Sequence, residues 1–384
     1  MAKKPMQIAL LGYGTVGGGV YELVQGREDM EMKYVLDLRP CAGVTCKVTR
    51  DFSEICADPQ VDTVVETMGG LHPAYEYVTA ALRAGKNVVT ANKLLIAAHY
   101  RELVELAGEK HVVLRCTAAV GGGIPWLTNL ERARKQEPVS RISGIMNGTT
   151  NYILDTMHNR GTSFEEALKE AQELGYAEAN PSADLDGSDI RRKIVISANV
   201  AFGCVIDEQD VAMQGIEKLQ RTDIDACKKM HRVCKLLANA RKLSGAVAIY
   251  IEPAFVPTTM LEASVPGNYN LISMTGTDFE KQSFFGQGAG RYPTAYNVVQ
   301  DCRDVAEGRT SFYTDSLEPM SVDNSSILRP YYVRSNGMDK WQKDHVDKLL
   351  DRGLITREVS VEEIHAWVAE RKKVDPDCFI ASLR

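Results

Sequence analysis

Residues 6–17 read MQIALLGYGTVG, and the chain continues GGVYELV to residue 24. A largely apolar run ending at Leu11 enters Gly12-Tyr13-Gly14-Thr15-Val16-Gly17 directly, and Val16 to Val24 then carries apolar residues at helical spacing: strand, tight turn, helix. Gly12 and Gly14 allow the turn and a close backbone approach, while Gly17 lets the helix pack on the strand. With Tyr13, Thr15 and Val16 between them, they form a GxGxxG turn that sets a pyrophosphate on a helix N-terminus. A dinucleotide ligand is therefore expected here.

Working outward, Lys33 to Leu38 reads as a second strand, with Asp37 near its end where a carboxylate can accept hydrogen bonds from the adenosine ribose. Such a carboxylate repels a 2′-phosphate, whereas Arg39 two positions on attracts one. Val61 to Glu66, the helical TAALRAG stretch and NVVTANK, ending on Lys93, extend the alternation and predict a doubly wound parallel α/β sheet over residues 1–130. After about residue 130 the pattern becomes a long helical reading and then strands, so an α+β domain is expected over 131–286. GQGAGRYPTAYNVVQDCRDVAE (286–307) reads as a glycine loop and helix returning to the first domain, which 287–325 would complete. From about Pro330 the reading is strand, helix, strand and a charged helix, a small unit spanning 326–384.

At 384 residues, 44% apolar and 25% charged, the chain is long enough for several cores and carries no long disordered composition. A net charge of -6 argues against a general nucleic-acid surface. The opening MAKKPMQIALLGYG shows no cleavage-site pattern, and no run approaches about 18 apolar residues. The nine cysteines are scattered without a CxxC pair. A cytoplasmic protein with neither membrane nor nucleic-acid partners is expected.

Four further stretches carry chemistry: ETMGG (66–70), TANK (90–93), GIMNGTTNYIL (144–154) and GYAEANPSADLDGSDIRRK (175–193). Together with the opening motif, in this order and spacing, they resemble the homoserine dehydrogenases, which interconvert L-homoserine and L-aspartate 4-semialdehyde with a nicotinamide dinucleotide. The resemblance implies that Lys193 moves the hydroxyl proton, that Asp189 orients it, and that Lys93 is a second active-site lysine. Burial, a neighbouring lysine and a positive nicotinamide ring would each lower such an ammonium's pKa and so populate the neutral amine that can accept a proton. The spacing of Asp189 and Lys193 alone predicts a helix ion pair.

The resemblance further implies that Glu178 and Asp184 hold the substrate's amino group and that Gly148, Thr149 and Tyr176 close on the substrate. Thr67, Met68, Gly69, Thr90, Asn92, Gly175, Gly288 and Gly290 would line the cofactor. Family members often bind a sodium-type cation through a glutamate and backbone carbonyls. Here the glutamate position is Thr117, leaving the carbonyls of Val120, Gly122 and Ile124 as ligands. NADP-using members often carry an arginine before the second-strand aspartate, and Leu36 stands there, so NAD is expected over NADP. A homodimer through the second domain, with residues 246–275 as its sheet, is implied. An ACT-like C-terminal unit is also implied, but residues 330–384 show little more than one and a half βαβ halves and no DxPG-like turn, which predicts a remnant that does not respond to L-threonine. Two rival readings are an aldehyde dehydrogenase using Cys116 as nucleophile and a dinucleotide sensor without catalysis.

Overall fold

The computed structural model describes residues 4–309 and 317–384; residues 1–3, and 310–316 of the returning stretch 287–325, lie outside it. The chain divides into two compact units, one made of residues 1–136, 196–205 and 286–318, the other of 137–195, 206–285 and 319–384.

The first unit holds β1 (Met6–Leu11), β2 (Met30–Leu36), β3 (Lys47–Thr49), β4 (Thr63–Glu66), β5 (Asn87–Thr90) and β6 (Leu114–Arg115), paired in the order β3-β2-β1-β4-β5-β6. All neighbours are parallel. Every residue of β1 is buried, as a central strand covered on both faces requires. The order reverses beside β1, and the carboxyl ends of β1, β4 and β5 therefore face the crevice where such sheets take ligands.

Helix Thr15–Val24 starts at that crevice. Gly17 is obligatory, because a Cβ there would stand 1.9 Å from Gly12 O. Gly19 permits a second close approach: its Cβ would meet Arg291 O at 2.9 Å and Ala295 Cβ at 3.0 Å, on helix Arg291–Ala306. The resulting core joins Ile8, Leu10, Val20 and Val24 to Ala295, Val298 and Cys302.

The second unit is built on a mixed sheet. Its strands are β7 (Arg141–Ile145), β8 (Ala212–Met213), β9 (Arg232–Lys242), β10 (Ala246–Pro257), β11 (Tyr269–Thr275), β12 (Lys281–Gln287), β13 (Ser321–Val322), β14 (Leu328–Arg329), β15 (Tyr331–Arg334), β16 (Val346–Leu349), β17 (Leu354–Thr356), β18 (Val359–Ser360) and β19 (Phe379–Leu383). The sheet runs β12-β11-β7-β9-β10-β19-β15-β17-β16; β8 and β13 also pair with β10, and β14 pairs with β18 separately. β9 and β10 form a long antiparallel pair from Lys242–Val247 to Arg232–Pro257.

The C-terminal segment departs from the expectation of too few elements. Helices Lys340–His345 and Val361–Arg371 complete a β-α-β-β-α-β succession, and the strand order β19-β15-β17-β16, antiparallel throughout, interleaves two split βαβ halves. This segment shares a sheet with the preceding residues, because β19 pairs with β10 through Ala254–Ser382 and Phe255–Leu383.

Candidate active site

At the first unit's crevice, the glycine turn is fastened to the second strand: Gly12 N donates to Leu36 O at 2.8 Å and Tyr13 N to Asp37 Oδ2 at 2.8 Å. Gly14 precedes helix Thr15–Val24 as an N-cap without a side chain, and no acidic residue occupies the first turn, so the first amide groups suit an anion. Asp37 Oδ1 accepts from Arg39 N at 2.8 Å and Nε at 3.2 Å, and its Oδ2 accepts from the Arg39 guanidinium at 3.1 Å. The Arg39 side-chain bond, helped by the two backbone amides, holds the Asp37 carboxyl down at about 2 against the opposing effect of burial. The guanidinium itself is 70% exposed.

The loops after β4 and β5 are joined by Glu66, a residue whose role the sequence did not disclose. Its Oε1 accepts from Met68 N at 2.7 Å and Gly69 N at 3.2 Å, and its Oε2 accepts from Thr90 Oγ1 at 2.5 Å. Thr90 Oγ1 in turn accepts from Asn92 N, Asn92 Nδ2 donates to Gly70 O at 2.6 Å, and Asn92 Oδ1 caps helix Lys93–Glu109 through Leu95 N. Thr67 Oγ1 closes the ring by donating to Gly12 O at 2.9 Å. Burial pushes the Glu66 carboxyl above the usual range despite these donors. One buried carboxylate thus sets the backbone of ETMGG and the helix start that presents half-buried Lys93. The only available signal was an acid ending an otherwise apolar strand.

In the second unit, the site grows from the end of β7. Asn147 caps helix Gly148–Arg160 through Thr150 N at 2.9 Å, and its Nδ2 donates to Asp184 Oδ1 at 2.6 Å and Asp189 Oδ2 at 2.9 Å. Helix Ser188–Phe202 brings Asp189 and Lys193 onto one face: Lys193 Nζ lies 2.6 Å from Asp189 Oδ2 and donates to Met146 O at 2.8 Å. Both side chains are over nine-tenths buried, which fixes the ammonium's direction far more tightly than a surface pair would.

Of the expected substrate residues, Thr149 donates through Oγ1 to Tyr176 O at 2.6 Å. Gly148 is needed because a Cβ would fall 2.5 Å from Asn268 O. Tyr176 is 39% exposed and meets Tyr152 edge-on. Gly175 takes φ +74° after helix Phe164–Glu173. Glu178 stands exposed on the following loop, and Asp184 is half-buried. Asn147 lay within a quoted motif, but its bridging of two carboxylates is visible only in three dimensions.

At the loop Val120–Ile124, two of the three carbonyls expected to bind a cation already accept from one side chain. Asn297 Nδ2 donates to Gly122 O at 2.6 Å and Ile124 O at 3.0 Å. Among the described residues, no group of three or more His, Cys, Asp or Glu side chains could hold a metal. Gly288 lies against this loop, with its carbonyl oxygen 2.5 Å from the position of a Gly122 Cβ, and Gly290, at φ +126°, begins helix Arg291–Ala306. Cys116 is fully buried, which denies it the access a thiolate nucleophile needs. Among the described residues, no helix is long and apolar enough to cross a membrane.

Residues 125–302 match the family profile described as homoserine dehydrogenase, and residues 12–116 match the one described as homoserine dehydrogenase, NAD binding domain. Among curated relatives, the homoserine dehydrogenase of Pseudomonas aeruginosa is 32% identical over 96% of this chain and 90% of its own length. That of Synechocystis sp. is 41% identical over 78% and 73%. A crystal structure of a homoserine dehydrogenase from Thiobacillus denitrificans superposes with a TM-score of 0.87 at 29% identity, covering 99% of this chain and 98% of that one.

Proposed function

On the premise that this chain belongs to the homoserine dehydrogenase family, and is an oxidoreductase of that family, we propose that Lys193 is the proton-transfer group in the interconversion of L-homoserine and L-aspartate 4-semialdehyde. The observation that carries this reading is the buried Asp189–Lys193 pair, anchored on Met146 O and flanked by Asn147. The nicotinamide dinucleotide, when bound, accepts the hydride of alcohol oxidation and returns it in the reverse direction. Lys193 Nζ, as the neutral amine, takes the hydroxyl proton as the aldehyde forms, and Asp189 Oδ2 stabilises the ammonium that results. In reverse, the same nitrogen protonates the developing alkoxide.

Asp184, with Glu178, suits a substrate ammonium, since one offers carboxylate oxygens from the short helix Ser182–Leu185 and the other from the loop before it. Gly148, Thr149 and Tyr176 are assigned to closing on the substrate. Lys93, Thr90, Asn92, Thr67, Met68 and Gly69, fixed by Glu66, are assigned to the nicotinamide side, with Gly175, Gly288 and Gly290. NAD is assigned as the preferred cofactor: Asp37 remains a carboxylate where a 2′-phosphate would lie, and the Arg39 charge is engaged by that carboxylate. A cytoplasmic homodimer assembled through the second unit belongs to the same reading, supported by exposed Phe285 stacked on Tyr269 along β11 and β12.

The test is reduced-cofactor formation from L-homoserine, run with NAD and NADP in parallel. NAD should give the higher kcat/KM, and Asp37→Ala should narrow the gap. A higher kcat/KM with NADP would overturn the cofactor assignment, and no turnover with either would overturn the substrate.

A further inference from the structure

We propose that the side-chain amide of Asn297 takes the place of a bound monovalent cation, so that this enzyme holds its Val120–Ile124 loop by covalently attached donors and has no requirement for sodium or potassium. The carbonyl oxygens of Gly122 and Ile124 converge on one point, and that point is the Asn297 Nδ2 nitrogen. Carbonyls only accept, so the amide must present its nitrogen rather than its oxygen, and its two hydrogens serve two acceptors. Asn297 is 1% exposed. A cation at the same point would collide with the nitrogen.

The neighbouring contacts exclude a charged ligand as well. Thr117 N and Oγ1 donate to Asp301 Oδ2 at 2.8 Å and Oδ1 at 2.7 Å, and Arg115 Nε donates to Asp301 Oδ1 at 3.0 Å. A glutamate at position 117 would set a second carboxylate against Asp301, which is only 1% exposed and is already pushed upward by burial despite the nearby Arg115. Asn297, Asp301 and Asp304 are spaced so that they share one face of helix Arg291–Ala306. That face grips the segment 115–124 by hydrogen bonds and by the Arg115–Asp304 pair at 2.8 Å. The loop is confined from the other side too, since Gly123 N donates to Gln287 O at 3.0 Å. An amide fits such a crowded neutral point where an ion with its own coordination shell does not.

The test compares sodium, potassium and tetramethylammonium chloride at matched ionic strength, read by thermal unfolding without substrate and, separately, by turnover. The unfolding arm does not depend on the assignment of homoserine as substrate, so failure of one is distinguishable from failure of the other. The wild type should show the same Tm within about 1 °C in all three salts, and kcat within twofold. Asn297→Asp places a carboxylate oxygen beside the two carbonyls. It should lose several degrees in tetramethylammonium and regain them saturably with sodium or potassium. Saturable stabilisation or activation of the wild type by sodium or potassium would overturn the proposal, and this arm decides even if the variant does not fold. A folded Asn297→Asp that keeps the wild-type Tm in tetramethylammonium, or loses stability that neither cation restores, would overturn it equally.

Discussion

Asn147 combines two duties in one side chain: its oxygen caps the start of helix Gly148–Arg160, and its nitrogen stands between Asp184 and Asp189. Asn147→Ala should cost about 1 kcal/mol as a lost cap and lower kcat/KM by at least about tenfold, because Asp189 then loses a partner that fixes it. A variant with wild-type kcat/KM would show that the bridge is idle. Lys235 on β9 makes a prediction of a different kind. It is buried, donates to Asn151 Oδ1 at 2.8 Å and Val265 O at 2.7 Å, and burial lowers its pKa to about 8. Between about pH 8 and 10.4 the unfolded chain carries a proton that the folded one lacks, so this group makes stability rise with pH across that window and costs most below it. Relative to Lys235→Met, the wild type should gain about 2 kcal/mol between pH 7.5 and 9.5 in urea unfolding, and a pH-independent difference would refute the shift. Neither residue was legible as functional in the sequence, because a lysine inside an apolar strand and an asparagine inside a motif reveal partners only after distant segments meet.

Among elements, legibility followed how local the physical demand was. The Gly12–Gly17 turn could be read because Gly17 must clear Gly12 O within the same motif. The coupling of β4 to β5 could not, since Glu66, Thr90 and Asn92 become neighbours only through parallel pairing. Thr90 donates its hydroxyl hydrogen to Glu66 Oε2 while Met68 N and Gly69 N donate to Oε1, so a glutamine at 66 must either turn its amide nitrogen on those two backbone donors or leave the Thr90 hydrogen without its acceptor. Glu66→Gln should therefore raise KM for the dinucleotide and lower kcat by about tenfold or more while the fold persists, with Glu66→Asp restoring neither because its reach is shorter. Unchanged cofactor KM in a folded Glu66→Gln would contradict the arrangement.

At the scale of the molecule, the C-terminal residues were read as a remnant because β17 has three residues and helix Lys340–His345 only six, too short for either periodicity to register. They instead complete the sheet. Glu252 on β10, fully buried, is met by Tyr331 OH at 3.1 Å, His365 Nε2 at 3.2 Å and the Arg384 guanidinium at 3.5 Å. Truncation after Leu328 removes all three and strands a buried carboxylate, a loss on the order of 3–5 kcal/mol. The truncated chain should be insoluble or melt many degrees lower, and a wild-type Tm would show the segment to be dispensable. L-threonine should leave turnover unchanged: the β15–helix loop is already tied to the end of helix Val361–Arg371 and the residues after it, Asn336 N donating to Asp375 at 2.6 Å and the Arg371 guanidinium to Asn336 O. Saturable inhibition by threonine would contradict this.

The central claim is that Lys193, held by Asp189 and Met146 O, transfers the substrate proton. Steady-state oxidation of L-homoserine by Lys193→Ala, with dinucleotide binding measured on the same sample, tests it directly. The account predicts a kcat lower by at least about 10², with cofactor Kd near wild type and a fold that persists at a lowered Tm because buried Asp189 loses its partner; a folded, cofactor-binding Lys193→Ala that turns over at the wild-type rate would contradict it.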